Sequence, residues 1–198
     1  MRLGIIGTAQ AGTLEQLRSA VELFFRDPQL KQIIYLGEDA ALDEVAAQLA
    51  HEQLDETAFL QRGVELACHG TADALEQLLR ADRESERLSV LRRLPEPPAC
   101  AIEMLEKWIV LAVHDKAVLE EDDVANAQVI VYGRADEAAF KRFGPRVFLT
   151  PGPLHKGCVG SVSLRGDGSL DIAILDLEGT TLQSESIAPA TGKVVVTS

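Results

Sequence analysis

A chain of 198 residues that is 46% hydrophobic and 25% charged has room for one full core and little more, so a single domain spanning 1–198 is expected. Its formal net charge of −12 argues against nucleic acid and anionic membranes as partners and leaves basic proteins open. The three cysteines, Cys68, Cys100 and Cys158, are too scattered for a disulfide framework. No leader-like segment opens the sequence, and no apolar run nears the roughly 20 residues that span a bilayer, so a cytoplasmic protein is expected.

In chain order, the apolar run Leu3 to Ile6 reads as a buried strand that Gly7 turns sharply. Thr13 and Gln16 have capping-box spacing. Leu14, Leu17, Val21, Leu23, Phe24 and Phe25 then recur near the helical period until Asp27-Pro28 stops it. Leu30 to Leu36 is a second buried strand ending in Gly37-Glu38-Asp39, with Asp39 placed to cap a helix from Ala40 to about His51. Residues 52–63 show no clear period. Val64 to Cys68 reads as a short third strand, followed by His69-Gly70-Thr71 and a long polar helix from about Ala72 to Leu94. The polar stretch Ala81 to Glu86 breaks that helix's apolar stripe, and Pro95, Pro97 and Pro98 close it.

From Ala99 onward strands dominate. Ala99 to Leu105 and Trp108 to Val113 flank a tight turn at Glu106-Lys107, and the second ends in His114-Asp115-Lys116. A short helix from Glu120 to Ala125 precedes the apolar strand Ala127 to Tyr132, which ends in Gly133-Arg134-Ala135-Asp136. Glu137 to Arg142 reads as a short helix. Arg146 to Leu149 is a strand leading into Thr150-Pro151-Gly152-Pro153-Leu154-His155. Gly166-Asp167-Gly168 joins Gly160–Arg165 to Leu170–Asp176 as a hairpin, and strands at Thr181–Ile187 and Lys193–Thr197 follow. Alternating strands and helices, then mostly strands, imply an α/β fold: a four-layer α/β/β/α sandwich of two mixed sheets.

Ligands in open α/β sheets bind beyond the carboxyl ends of the strands. Five loops fall at such ends: Gly7-Thr8-Ala9-Gln10, Gly37-Glu38, Gly70-Thr71-Ala72-Asp73, His114-Asp115 and Gly133-Arg134-Ala135-Asp136. Their order and spacing, with Thr150-Pro151-Gly152-Pro153 after them, resemble the calcineurin-like metallophosphoesterases over nearly the whole chain. The likeness is to the small YfcE and Vps29-type subgroup, which contains phosphodiesterases and a retromer scaffold subunit. The family's loops read Asp-x-His, Gly-Asp, Gly-Asn-x-Asp, His-Gly and Gly-His-x-His, then Asn-Pro-Gly-Ser. The resemblance implies that family's fold and a two-metal phosphodiesterase site. Against that frame, 80–96 reads as a helical insertion atypical of the family.

The ligand positions implied by the resemblance are largely replaced. The first Asp and His fall on Thr8 and Gln10, the bridging Asp on Glu38 and the Asn on Thr71. His114 matches, while the last two His fall on Arg134 and Asp136. Thr8, Gln10 and Thr71 are neutral and weak ligands, and Arg134 cannot ligate because its guanidinium stays protonated. Glu38 and Asp136 bring two negative charges, and Arg134 cancels one of them. Two divalent ions held about 3.5–4 Å apart need bridging anions and a full shell, and this set offers neither.

The expectation is therefore a catalytically degenerate phosphoesterase-fold protein with no catalytic residue and no resident cofactor. It would act as a protein-binding, scaffold or regulatory module, with a protein partner and homo-oligomerisation open. Arg134 is expected to pair with Glu38 or Asp136 in place of the lost metal charge. Two alternatives stand beside this reading. One is a residual phosphodiesterase with a single divalent metal such as Mn on Glu38, His114 and Asp136. The other is a phosphate or nucleotide sensor acting through Arg134. For His114 itself, a loop histidine hydrogen-bonded to backbone competes with metal ligation.

Weaker signals carry less. Cys68-His69 lacks a second ligand pair for zinc. Gly4, Gly7 and Gly12 do not have dinucleotide-binding spacing, and no Gly-x-Ser-x-Gly elbow occurs. Arg165-Gly166-Asp167 is part of a hairpin turn. Leu88, Leu91 and Leu94 form a candidate docking stripe.

Overall fold

The computed structural model describes residues 1–50 and 56–189. The expected strand at Lys193 to Thr197 lies outside the described residues. The chain runs β1 (Arg2–Ile6), α1 (Leu14–Phe25), β2 (Leu30–Tyr35), α2 (Ala41–Leu49), α3 (Glu56–His69), α4 (Ala72–Leu88), β3 (Leu91–Arg93), β4 (Ala101–Leu105) and β5 (Trp108–Val113). It continues with α5 (Glu121–Asn126), β6 (Val129–Tyr132), β7 (Ala139–Phe143), β8 (Arg146–Thr150), β9 (Cys158–Leu164), β10 (Leu170–Asp176) and β11 (Thr181–Ile187).

These strands form two mixed sheets, as expected. The first is six-stranded in the order β11-β10-β9-β1-β2-β3, and the second is five-stranded in the order β4-β5-β6-β8-β7. β1, β2 and β3 are parallel, as are β5, β6 and β8; their carboxyl ends open on the site described below. The period of two along each strand sends alternate side chains to opposite faces. Leu3 and Ile5 of β1, Ile34 of β2, and Val110, Val129, Val131, Val147 and Leu149 of the second sheet meet in one core between the sheets. Ile6, Ile33 and Tyr35 face the other way and pack under α1 and α2. Helix α1 buries Leu17, Ala20, Val21 and Phe24, the spacing of one helical stripe. Among the described residues, the second sheet's outer face has only the six-residue α5 over Leu111, Val113, Ile130 and Tyr132.

Several local readings are corrected. Val64 to Cys68 belongs to α3, which begins inside the stretch left without a period. A short apolar run cannot be assigned by period alone, and the Glu, Gln, Ala and Leu around it favour helix. The third strand is β3, inside what reads as the long helix; α4 stops at Leu88. The span 80–96 is therefore not helical throughout: α4 ends at Leu88, and Leu91–Arg93 is a strand of the first sheet. Leu94 is buried in the core between the sheets and Leu91 packs under the helices, so Leu88, Leu91 and Leu94 are no docking stripe. Glu137 to Arg142 is not helical: Ala139–Phe143 pairs antiparallel with β8. Thr13 caps no helix through its side chain; its hydroxyl bonds back to both backbone groups of Gln10. No helix of the described residues is long and apolar enough to cross a membrane.

Candidate functional site

A cleft of ≈ 710 Å³ opens where the loops after β1, β2, β5, β6 and β8 converge. Thr8, Gln10, Glu38, His114, Arg134 and Asp136 all line it, so the structure brings these sequence-selected positions together. Thr71 is not among its lining residues. It lies in the turn between α3 and α4, where its hydroxyl accepts from the Ala74 N–H at 3.2 Å as a helix cap. The loop that follows the true third strand is Leu94-Pro95, and its Pro95 carbonyl reaches His114.

Close backbone approach sets the cleft's walls. A side chain at Gly7 would place its Cβ 1.8 Å from the Gly152 carbonyl oxygen, so the first loop and the Pro151-Gly152-Pro153 loop require glycine there. Beside this contact the Leu154 N–H donates to the Thr8 carbonyl at 2.9 Å.

His114 is 5% exposed at the end of β5. Its Nδ1 stands 2.9 Å from the Leu36 carbonyl oxygen and its Nε2 3.1 Å from that of Pro95. Both ring nitrogens therefore face acceptors, and only the imidazolium form donates to both. Its own carbonyl accepts from the Gly133 and Arg134 N–H groups at 3.0 and 2.7 Å. One residue thus ties together the exits of β2, β3, β5 and β6.

Tyr35 makes a second tie. Its hydroxyl donates to Asp39 Oδ1 at 2.7 Å and accepts from the Ala9 N–H at 2.9 Å. Asp39 also accepts from the Ala41 N–H at 3.0 Å, close to the capping role expected for it. Burial, then the bond to Asp39, pushes the Tyr35 hydroxyl's pKa well above its ordinary value.

Arg134 is not paired with Glu38 or Asp136. Its Nη1 lies 3.0 Å from Asp115 Oδ2, with the arginine side chain 82% exposed. The Ala117 N–H, and after it Arg134, hold the Asp115 carboxyl below the usual carboxylate range. Glu38 and Asp136 are exposed and have no hydrogen-bond or ion-pair partner among the described residues. His155 and Lys156, from the turn after Pro153, complete a rim of mixed charge. Sequence reasoning passed over this basic pair, whose only signal is its place directly behind Pro-Gly-Pro.

These residues do not fit the two-metal centre that the resemblance implies. His114 turns both nitrogens to carbonyls and offers neither to the cleft. Thr8 and Gln10 supply no charge, and Arg134 adds a fixed cation. Among the described residues no three His, Cys, Asp or Glu side chains come together in a group that could hold a metal.

No family model and no curated protein matches this sequence. Solved structures do match. A conserved uncharacterized protein from Streptococcus pneumoniae, described as a predicted phosphoesterase, aligns with a TM-score of 0.53 at 11% identity, covering 96% of this chain and 99% of its own. Vacuolar Protein Sorting 29 from Cryptosporidium parvum aligns with a TM-score of 0.52 at 11% identity, covering 95% of this chain and 98% of its own. At that identity the likeness is one of fold: the chain has the two-sheet α/β architecture of these two structures.

Proposed function

We propose that this chain is a protein-binding module built on a phosphoesterase-type fold and does not turn over phosphoesters. The observation that carries the reading is the double engagement of His114 by the Leu36 and Pro95 carbonyls. A histidine used this way is a strut. Together with Tyr35 and the Leu154–Thr8 bond, it cross-links loops that ions would otherwise hold. The fold then serves as a rigid frame whose surface is free for a partner.

Hydrolysis of bis-p-nitrophenyl phosphate with added Mn tests this. The expected result is no turnover above buffer and no rise in melting temperature with Mn. Turnover that Glu38→Ala and His114→Ala both abolish would establish the residual one-metal phosphodiesterase instead.

The exposed Arg134 and Lys156 on one cleft favour a second reading, a non-catalytic anion sensor. Glu38 and Asp136 on the same rim weaken it. Titration calorimetry with inorganic phosphate separates the two. Metal-independent binding lost in Arg134→Ala would support the sensor, and absence of heat would leave the protein-binding module.

A further inference from the structure

We propose that the β4 side of the second sheet's outer face is a docking surface for a basic amphipathic helix of a partner protein. The inference rests on reading the chain as a protein-binding module, and it begins with an inverted strand. In β4, Ala101, Glu103 and Leu105 face the interior while Ile102 and Met104 face out, each 58% exposed. A half-solvated edge strand ordinarily turns its apolar residues inward and its charge outward. Here the only carboxylate is inside and the two flexible hydrophobes are outside.

The inversion is held in place by other residues. Glu103 is bound by Arg92 of β3 and by Lys31 Nζ at 3.0 Å. A slip of one residue would bury Ile102 and Met104 and expose Glu103. The cationic pair on Glu103 opposes that slip and keeps the hydrophobes in solvent.

Pairing registers show what lies beside them. Ile102 is opposite Leu111 and Met104 opposite Ile109, on the face where Leu119 and Val124 pack. Among the described residues this half of the sheet has no helix layer beyond α5. The result is an apolar strip next to a short helix, with one long side open.

Charge selects the occupant. Glu121 and Asp122 of α5 are exposed and have no ion-pair partner among the described residues, and the whole chain carries −12. A helix with an apolar stripe and flanking lysines or arginines satisfies both features. Strand addition to the β4 edge is opposed, because Lys31 Nζ already occupies the Met104 carbonyl at 3.0 Å. A second copy of the chain is opposed by self-repulsion.

The test is fluorescence anisotropy of the full chain with a labelled synthetic helix, leucine on one face and lysine on the other. Ile102→Ser/Met104→Ser is expected to weaken binding about tenfold or more, as loss of a central apolar anchor does. Glu121→Gln/Asp122→Asn is expected to weaken it about threefold and to reduce its salt dependence. Glu15→Gln/Glu44→Gln removes the same charge from α1 and α2 and is expected to change nothing. Equal loss in both charge variants, undiminished binding to the serine variant, or equal binding of a helix with glutamate in place of lysine would overturn the proposal. So would a dimer in sedimentation that the serine variant dissociates, because a second copy would then own the face. Phosphodiester turnover is scored separately. Turnover dependent on His114 sinks the non-catalytic reading and leaves the peptide result standing, whereas lost peptide binding without turnover sinks only this surface.

Discussion

On the first sheet's outer face, α1 and α2 cover Ile6, Ile33 and Tyr35 and bury Leu17, Val21, Phe24, Leu42 and Val45 to 2% exposure or less. On the second sheet's outer face, α5 is a turn and a half long, and Ile102 and Met104 at one edge and Phe143 at the other stay more than half exposed. Both sheets draw on the same central core, so the difference does not come from the strands. It comes from the connections. The crossover from β1 to β2 is long enough for a twelve-residue amphipathic helix, whereas the crossover from β5 to β6 spends its length on an acidic capping box and a short helix. The covered face contributes stability. The open face contributes surface.

The largest expected effect sharpens that division. Phe24→Ala on α1 should cost about 3–5 kcal/mol in urea denaturation, since it removes a fully packed ring and leaves a cavity over Gly4. Val124→Ala on α5 should cost only about 1 kcal/mol, because that side chain is part-exposed already. Equal losses would break the comparison by making α5 a true fourth layer.

Next comes His114, which links exits from both sheets. His114→Ala removes the ring that bonds the buried Leu36 carbonyl and the more exposed Pro95 carbonyl, and should cost about 1–3 kcal/mol. A cost indistinguishable from zero would remove the strut from the account of the cleft.

Tyr35 and Tyr132 end corresponding parallel strands on the two outer faces, and they separate the faces by pH. Burial raises both hydroxyl pKa values, but Tyr35 adds a bond to Asp39 and shifts further. Tyr132 lies under the Lys116 ammonium, 4.8 Å from its ring centroid. A phenol whose pKa is raised by folding stabilises the fold fully below its unfolded value, about pH 10, and loses that contribution as pH climbs through the folded value. Wild-type stability should therefore fall above about pH 10. Tyr35→Phe should remove most of that slope at a cost near neutrality of about 1–2 kcal/mol, and Tyr132→Phe should remove less. Denaturation midpoints from pH 7 upward measure both, and an equal flattening by the two variants would contradict the contrast.

How much of this was legible in the sequence follows from which signals are local. The alternation of Leu3–Ile6, the α1 stripe and Leu30–Leu36 is local, and it fixes the first βαβ unit. The three residues of β3 are not legible, because Leu91-Arg92-Arg93 continues a leucine spacing that also fits α4. Without β3 the third loop falls at Thr71, a residue that does not line the cleft. The other loops come from strands with strong apolar runs, and their residues line one cleft. Pairings inside the cleft follow from geometry alone. Nothing in the sequence distinguishes Asp115 from Glu38 as the partner of Arg134, and Tyr35 reads as core until its hydroxyl is seen between two loops.

The smallest effect concerns that exposed pair. From the sequence, Arg134 is expected to pair with Glu38 or Asp136 in place of a lost metal's charge. With its side chain 82% exposed and its partner on an adjacent loop, it makes an ordinary surface ion pair. Arg134→Ala should then change stability by less than about 1 kcal/mol. The Asp115 carboxyl gives a finer reading. Its pKa is lowered first by the Ala117 N–H and only then by Arg134. A depressed carboxylate stabilises the fold above its unfolded pKa and loses that contribution as pH falls below about 4. In Arg134→Ala the titration of Asp115, followed by NMR, should move up slightly and remain below the unfolded value, because the backbone donor stays. A full return to the unfolded value would show that Arg134 governs the loop, and would restore it as the cleft's organising charge.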